Sequence, residues 1–220
     1  MGLEIDRERF DEADYQHFGE RLRSEIAVLR ALLARPGFGV GPTTIGAELE
    51  VHLVDAAGRP APFNREVLAQ SIDPRVTLEL NRFNLEINTR PVPLDADPFA
   101  QLAAQLEDAL AAVRSAAGRC GARVVIVGIL PTLKEADLGR EALTAARRYR
   151  ALSAGLRRLR REPFTLHISG TDELAITADD ITFEGNECVV PDPSSGRTRG
   201  FCAHVQCSTA CHRRGAGCRR

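Results

Sequence analysis

Residues 44–55 alternate between apolar and polar side chains, which is the pattern of a half-buried β-strand. Side chains of a strand point to opposite faces with a period of two. One face carries Leu49, Val51 and Leu53, and the other carries Glu48, Glu50 and His52. The pattern therefore predicts a strand with an apolar core face and an acidic face.

A second stretch, residues 76–88, brings two more carboxylates, Glu79 and Glu86, into a similar setting. Leu85 and Ile87 can enter the core. The opposite face of this stretch carries Asn84, Glu86 and Asn88. Carboxylates that lie close together raise one another's pKa unless a cation lies among them. Mg²⁺ binds oxygen ligands of this kind and leaves positions for water and nucleotide phosphates.

A second interpretation of these acidic strands stays open. An exposed pair of glutamates on one strand is more often the solvated face of an antiparallel sheet than a metal site. Two acidic strands in one chain favour a metal site over that alternative without deciding between them.

The remaining pattern predicts alternating helices and strands. Asp11 can cap a long helix, because apolar residues follow it at three- and four-residue spacing. Those residues are Phe18, Leu22, Ile26, Leu29 and Leu33. Further helices are expected from Asn64, over residues 102–118 and over residues 145–161. A buried strand is expected over residues 122–128, and others over 164–170 and 180–183. Few connections show a βαβ rhythm, which favours an α+β fold with helices on one side of a mostly antiparallel sheet.

Five segments, taken in order, carry a family resemblance. They are residues 46–50 (GAELE), 53–62 (LVDAAGRPAP), 79–89 (ELNRFNLEINT), 128–133 (GILPTL) and 148–152 (RYRAL). Together they resemble the glutamate–cysteine ligase type 2 family, the carboxylate–amine ligases related to glutamine synthetase. The resemblance runs from about residue 10 to residue 184. It implies a sheet curved into a bowl with acidic side chains on its concave face.

The resemblance also implies a reaction, ATP-dependent amide formation. A substrate carboxylate such as that of glutamate would be phosphorylated by ATP, and an amine such as that of cysteine would then form the amide. Mg²⁺ would be held by Glu48, Glu50, Glu79 and Glu86. Glu48, Glu50 and Glu86 are expected to be catalytic, with Asn88 and Arg148 binding substrate. Arg148 suits this role because a guanidinium binds phosphate or carboxylate in a bidentate manner.

Composition narrows the range of partners. The chain has 220 residues, 44% of them apolar, enough for one sizeable core. The net charge of −1 gives no reason to expect nucleic acid or an acidic membrane as partner. The N-terminus lacks the apolar region of a secretory signal, and no apolar run approaches the length of a membrane span. A cytoplasmic enzyme acting on small molecules is therefore expected, with its oligomeric state open.

The amino-acid composition of the chain changes after residue 187. Residues 188–220 contain five of the six cysteines, six arginines and one acid, which gives a formal charge of +5. Irregular gaps make zinc binding a weak alternative, and a disulfide framework is not expected without an export signal. We expect residues 1–187 to be the N-terminal part of a ligase catalytic domain and residues 188–220 to be a disordered or out-of-frame tail. The chain would then be inactive as it stands.

Two other functions remain open beside an active ligase. The first is a non-catalytic remnant of such an enzyme, and the second is a Mg²⁺-dependent hydrolase that uses the same acidic face. Phosphate-binding and dinucleotide-binding glycine motifs are absent from the sequence, so neither a P-loop nor a Rossmann site is indicated.

Overall fold

The computed structural model describes residues 4–160, 162–170, 173–178, 181–182 and 194–195. Within these residues the α-helices are α1 (Glu12–Leu33), α2 (Asn64–Gln70), α3 (Pro98–Arg119) and α4 (Arg147–Leu159). The strands are β1 (Thr44–Ile45), β2 (Glu48–Val54), β3 (Val76–Leu78), β4 (Asn84–Asn88), β5 (Val92–Pro93), β6 (Arg123–Val125), β7 (Phe164–Ser169), β8 (Glu173–Ala178) and β9 (Ser194–Ser195). The chain contains both helices and antiparallel sheets, so the predicted α+β class is confirmed.

The main sheet has four strands in the order β3–β4–β2–β6, and every neighbouring pair is antiparallel. Its centre is the pairing of β2 with β4, which sets Leu49 opposite Ile87 and Val51 opposite Leu85. Directly opposed residues of an antiparallel pair lie on the same face of the sheet. The apolar residues of both central strands therefore share one face.

Helices α2 and α3 cover this apolar face. α3 contributes the buried residues Leu102, Ala109, Leu110, Val113, Ala116 and Ala117. All of them except Leu102 belong to one core cluster with Val51, Leu53, Leu85 and Ile87, whose side chains are fully buried. Burial of this area is the main source of stability, at roughly 1.5–3 kcal/mol for each large side chain. The sheet is thereby fixed with its polar face turned away from α3.

Helix α1 begins as predicted. The Asp11 carboxylate accepts from the backbone N–H of Asp14, and the Asp14 carboxylate accepts from the N–H of Asp11, forming a capping box. No residue of α1 is buried within the described part of the chain, and Phe18 keeps 65% of its surface exposed. Arg158 of α4 pairs with Glu12 and lies over the Tyr15 ring. The basic side of α4 therefore contacts α1.

Two local predictions differ from the structure, and one strand was not predicted. The strand expected over 122–128 is limited to β6, since only residues 123–125 pair with β2, and its two valines are half-buried rather than buried. Ile181 and Thr182 form a bend and a turn instead of a strand. Strand β8 was not predicted, although it pairs with β7 along its whole length.

Part of the predicted tail is described. Ser194–Ser195 forms β9, which pairs antiparallel with β1. Apart from these two residues, the expectations for the boundary at residue 187, for disorder and for the tail cysteines lie outside the described residues.

Candidate functional site

The polar face of the main sheet is built by the pairing of β2 with β4. This pairing sets Glu50 opposite Glu86, and Glu48 opposite Asn88. β3 adds Thr77, which lies opposite Glu86 on the other side of β4. Three adjacent strands thus direct polar side chains to one face, because alternation sends their apolar neighbours into the core.

Three carboxylates meet on this face. Carboxylate oxygens of Glu50, Glu79 and Glu86 all lie within 4.8 Å of one another, and the three residues are half-buried. Glu79 follows β3 directly, and its Oε1 accepts a hydrogen bond of 2.8 Å from the N–H of Leu80. The three residues come from two strands and the turn between β3 and β4, which are held by the core beneath them.

The Glu86 carboxylate is held in place by its neighbours. Asn88 Nδ2 donates to Glu86 Oε1 at 2.5 Å, and Thr77 Oγ1 donates to the same oxygen at 3.4 Å. Asn88, predicted to bind substrate, thus lies beside the cluster as a hydrogen-bond donor to one of its members. Such donors restrict the rotation of a carboxylate and orient it for a ligand.

The electrostatics of the cluster favour a cation. Burial raises the pKa of the Glu79 carboxyl, and the negative charge of Glu86 raises this pKa further. The Arg148 guanidinium acts in the opposite direction and lowers it. The carboxylates therefore repel each other in spite of the nearby arginine, and a bound divalent cation would relieve that repulsion.

The start of α4 lies beside the cluster and contacts the end of β3. Tyr149 donates its hydroxyl hydrogen to the Leu78 carbonyl at 3.1 Å, and Arg148 donates to the Tyr149 hydroxyl oxygen at 2.9 Å. Arg148 also donates to the Leu78 carbonyl at 3.2 Å, and its guanidinium lies over the Tyr149 ring. Burial, together with the charge of Glu79, raises the pKa of Tyr149 to about 12. These contacts bind the arginine to the end of β3, next to Glu79.

His52 lies on the same face and is fully buried. Its Nδ1 is 3.2 Å from Asn84 Oδ1, and its ring stacks on Phe83. Burial lowers the pKa of the imidazole. The side chain is hydrogen-bonded to Asn84 and lies outside the group of three clustered carboxylates.

The oxygen atoms of the cluster fit a hard divalent cation. Two oxygens that bind Mg²⁺ from opposite sides, at ~2.1 Å each, are about 4.2 Å apart. The separations of up to 4.8 Å among Glu50, Glu79 and Glu86 are close to that value. Small side-chain rotations would therefore allow the three carboxylates to share one ion.

Comparison with known proteins agrees with this geometry. The family model described as glutamate–cysteine ligase family 2 (GCS2) matches residues 44–166. The chain belongs to this family. The matched residues include all four predicted metal ligands, Asn88 and Arg148.

A curated relative supports the same assignment. A protein of Mycolicibacterium vanbaalenii named "Putative glutamate--cysteine ligase 2-2" is 36% identical over 91 residues, which are 41% of this chain and 24% of the relative. The match thus spans about a quarter of the relative's length. No solved structure matches the chain. None of the described helices is long and apolar enough to cross a bilayer.

Within this ligase-family segment, Glu48 differs from the other predicted ligands. It lies on the same face as Glu50, two residues earlier in β2, which is a shift of about 6.8 Å along a strand. It is outside the group of three clustered carboxylates. Its role as a metal ligand stays a prediction.

Two residues around the cluster were not singled out from the sequence. Thr77 lies two positions before Glu79, so period-two alternation was a usable signal for it. Tyr149 lies inside the RYRAL segment, but its contact with the Leu78 carbonyl joins residues 71 positions apart. No local pattern predicts a contact of that range.

Proposed function

We propose that Glu50, Glu79 and Glu86 form a magnesium site of an ATP-dependent carboxylate–amine ligase. The observation that supports this proposal most strongly is the convergence of these three carboxylates inside the segment matched by the ligase family. Glutamate is the proposed acid and cysteine the proposed amine, because the family and the relative are named for that pair.

The three carboxylates would hold the ion from one side and leave its other positions open to substrate. When bound, Mg²⁺ would offset the negative charge of the nucleotide phosphates and orient them for transfer. Asn88 and Thr77 keep the Glu86 carboxylate in position through hydrogen bonds. The protein's contribution is therefore a fixed arrangement of negative charge, which costs little reorganisation when substrate binds.

Arg148 supplies positive charge at the edge of the cluster. Its guanidinium is held against Tyr149 and the end of β3, and it acts electrostatically on Glu79. We assign it to an oxygen of the substrate carboxylate or of the transferred phosphate, since guanidinium groups bind both. Its tethering would favour one orientation of the substrate.

In the proposed reaction, an oxygen of the substrate carboxylate bonds to the γ-phosphorus of ATP as ADP leaves. The amine nitrogen then attacks the activated carbonyl carbon, phosphate leaves, and the amine loses a proton. Both steps move negative charge between oxygens close to the acidic cluster. Charge neutralisation and positioning are the main sources of rate in chemistry of this type.

Nucleotide binding tests the proposal on the 220-residue chain. ATP should bind more tightly with Mg²⁺ than with EDTA, as measured by isothermal titration calorimetry. Glu50→Gln should abolish most of that difference. Glu107→Gln, an exposed residue of α3, removes the same charge away from the sheet and should leave the difference unchanged. Equal ATP affinity with and without Mg²⁺ in the unaltered chain would contradict the proposal.

Product analysis separates the ligase from the alternatives. With ATP, Mg²⁺, glutamate and cysteine, a ligase releases ADP and forms the amide in equal amounts. A hydrolase would release ADP or phosphate with no dependence on the amine. Metal-dependent nucleotide binding without either product is the result expected of a non-catalytic chain.

A further inference from the structure

A cavity of about 510 Å³ lies between the start of α2, the turn before β4, residues 140–145 and α4. Its charged lining consists of Arg65, Arg82, Arg140 and Arg150 with Glu66 and Glu141. None of the three clustered glutamates of the metal site lines it. The size is within the range of small-molecule sites.

The lining carries an excess of two positive charges. Arg150 is paired with Glu8 at 2.7 Å, and Arg65 donates to the Ala145 carbonyl. Within the described part of the chain, neither Arg82 nor Arg140 takes part in an ion pair. The four guanidinium groups outnumber the two carboxylates of the lining, and a net positive charge remains even with Glu8 offsetting Arg150, so an anion would be attracted to the cavity.

A buried hydroxyl group provides a second, independent observation. Ser153 of α4 lines the cavity and keeps 3% of its surface exposed. Its Oγ has no hydrogen-bond partner among the described residues. Most buried hydroxyl groups in proteins are hydrogen-bonded, because burial without a partner is unfavourable. The oxygen itself has almost no accessible surface, so a ligand oxygen would satisfy this group after a small rotation of the Ser153 side chain toward the cavity.

We propose that this cavity binds the dianionic phosphate group of a small molecule. Arg82 and Arg140 balance its two negative charges, and the Ser153 hydroxyl donates to one of its oxygens. A phosphate monoester fits better than a single carboxylate, because it carries close to two charges and has three acceptor oxygens. The site is separate from the acidic cluster and requires no metal.

Calorimetric titration with inorganic phosphate tests this proposal. The 220-residue chain is titrated at constant ionic strength in EDTA, at a pH where the dianion predominates. One phosphate should bind per chain. Arg140→Gln should weaken binding about tenfold, as expected for the loss of a charge-assisted hydrogen bond. Arg157→Gln, which removes an exposed charge of α4 outside the cavity, should have no effect.

Ser153→Ala distinguishes a binding role from a structural one. It should weaken phosphate binding several-fold while leaving the urea midpoint of the phosphate-free chain equal or higher, because the hydroxyl has no protein partner to lose. Circular dichroism checks that each variant is folded. If Ser153→Ala does not fold, Arg140→Gln alone tests the proposal. The proposal is overturned by unsaturable uptake, by equal weakening in Arg157→Gln, or by tighter binding of succinate than of phosphate.

Discussion

Two groups of carboxylates on opposite sides of the main sheet differ in how their charge is balanced. Beside α3, Asp73 and Asp108 flank Arg75, whose guanidinium is 2.6 Å from Asp73. Hydrogen bonding to that guanidinium lowers the pKa of the Asp73 carboxyl. On the polar face, burial and the charge of Glu86 raise the pKa of Glu79.

The difference between these groups indicates their roles. The Asp73 group holds its own cation between two acids and connects the start of β3 to α3 through the Gln105 carbonyl. In the Glu79 group, Arg148 lowers the pKa of Glu79, but burial and the charge of Glu86 still raise it, so the repulsion stays in place. The first arrangement is structural, whereas the second is suited to a cation from solution.

The largest expected effect is a loss of folding stability when the core that supports both carboxylate groups is disturbed. Leu85 of β4 is fully buried in the core cluster that includes residues of α3, so Leu85→Ala should lower the free energy of unfolding by about 2–5 kcal/mol. Urea unfolding followed by circular dichroism measures this. Leu94→Ala, which truncates a side chain 43% exposed, should change it by less than about 0.5 kcal/mol. Similar losses in both variants would contradict the assigned core.

A smaller effect is expected from breaking the structural group alone. Arg75→Gln leaves Asp73 without its main partner and removes the bond to the Gln105 carbonyl, which should cost about 1–3 kcal/mol. Arg114→Gln removes an exposed charge from the same helix region and should have little effect. The cation affinity of the polar face should be unchanged in both. If Arg75→Gln also lost cation binding, the distinction between a structural Asp73 group and a cation-binding Glu79 group would be wrong.

The smallest expected effect is a pH dependence of stability. Asp73 has a lower pKa in the folded chain than its ordinary value of 3.8, so the unfolded chain binds its proton first as pH falls. Its contribution to stability is fully present well above pH 3.8 and is lost as pH falls through the folded pKa. Asp73→Asn should therefore flatten the acid limb of a plot of unfolding free energy against pH. If the acid limb is unchanged in Asp73→Asn, the Asp73 carboxyl is not the source of this pH dependence.

Local patterns predicted the strands of the site better than their assembly. Alternation in residues 44–55 and 84–88 correctly separated Leu49 and Ile87 from Glu50 and Glu86, because burial of one face dictates the direction of every second side chain. The Asp11 cap could also be predicted from the sequence, because its partner Asp14 is only three residues away.

Features that depend on long-range packing could not be predicted from local sequence patterns. The approach of Glu79 to Glu86 depends on the turn between β3 and β4, and the position of Arg148 depends on the contact of α4 with Leu78. The apolar stripe of α1 predicted a helix correctly, yet periodicity alone does not say what covers Phe18 or Leu22. The unpartnered hydroxyl of Ser153 likewise becomes visible only in three dimensions.

Direct cation binding tests the central claim that the polar face is a divalent metal site. Mn²⁺, a paramagnetic substitute for Mg²⁺, is titrated into the 220-residue chain, and free Mn²⁺ is measured by electron paramagnetic resonance. We predict saturable binding that Mg²⁺ displaces. Glu86→Gln should weaken it more than tenfold, and Asp108→Asn should leave it unchanged, since ligands and their supporting groups set metal affinity. Unsaturable binding, or equal weakening in the two variants, would contradict the account.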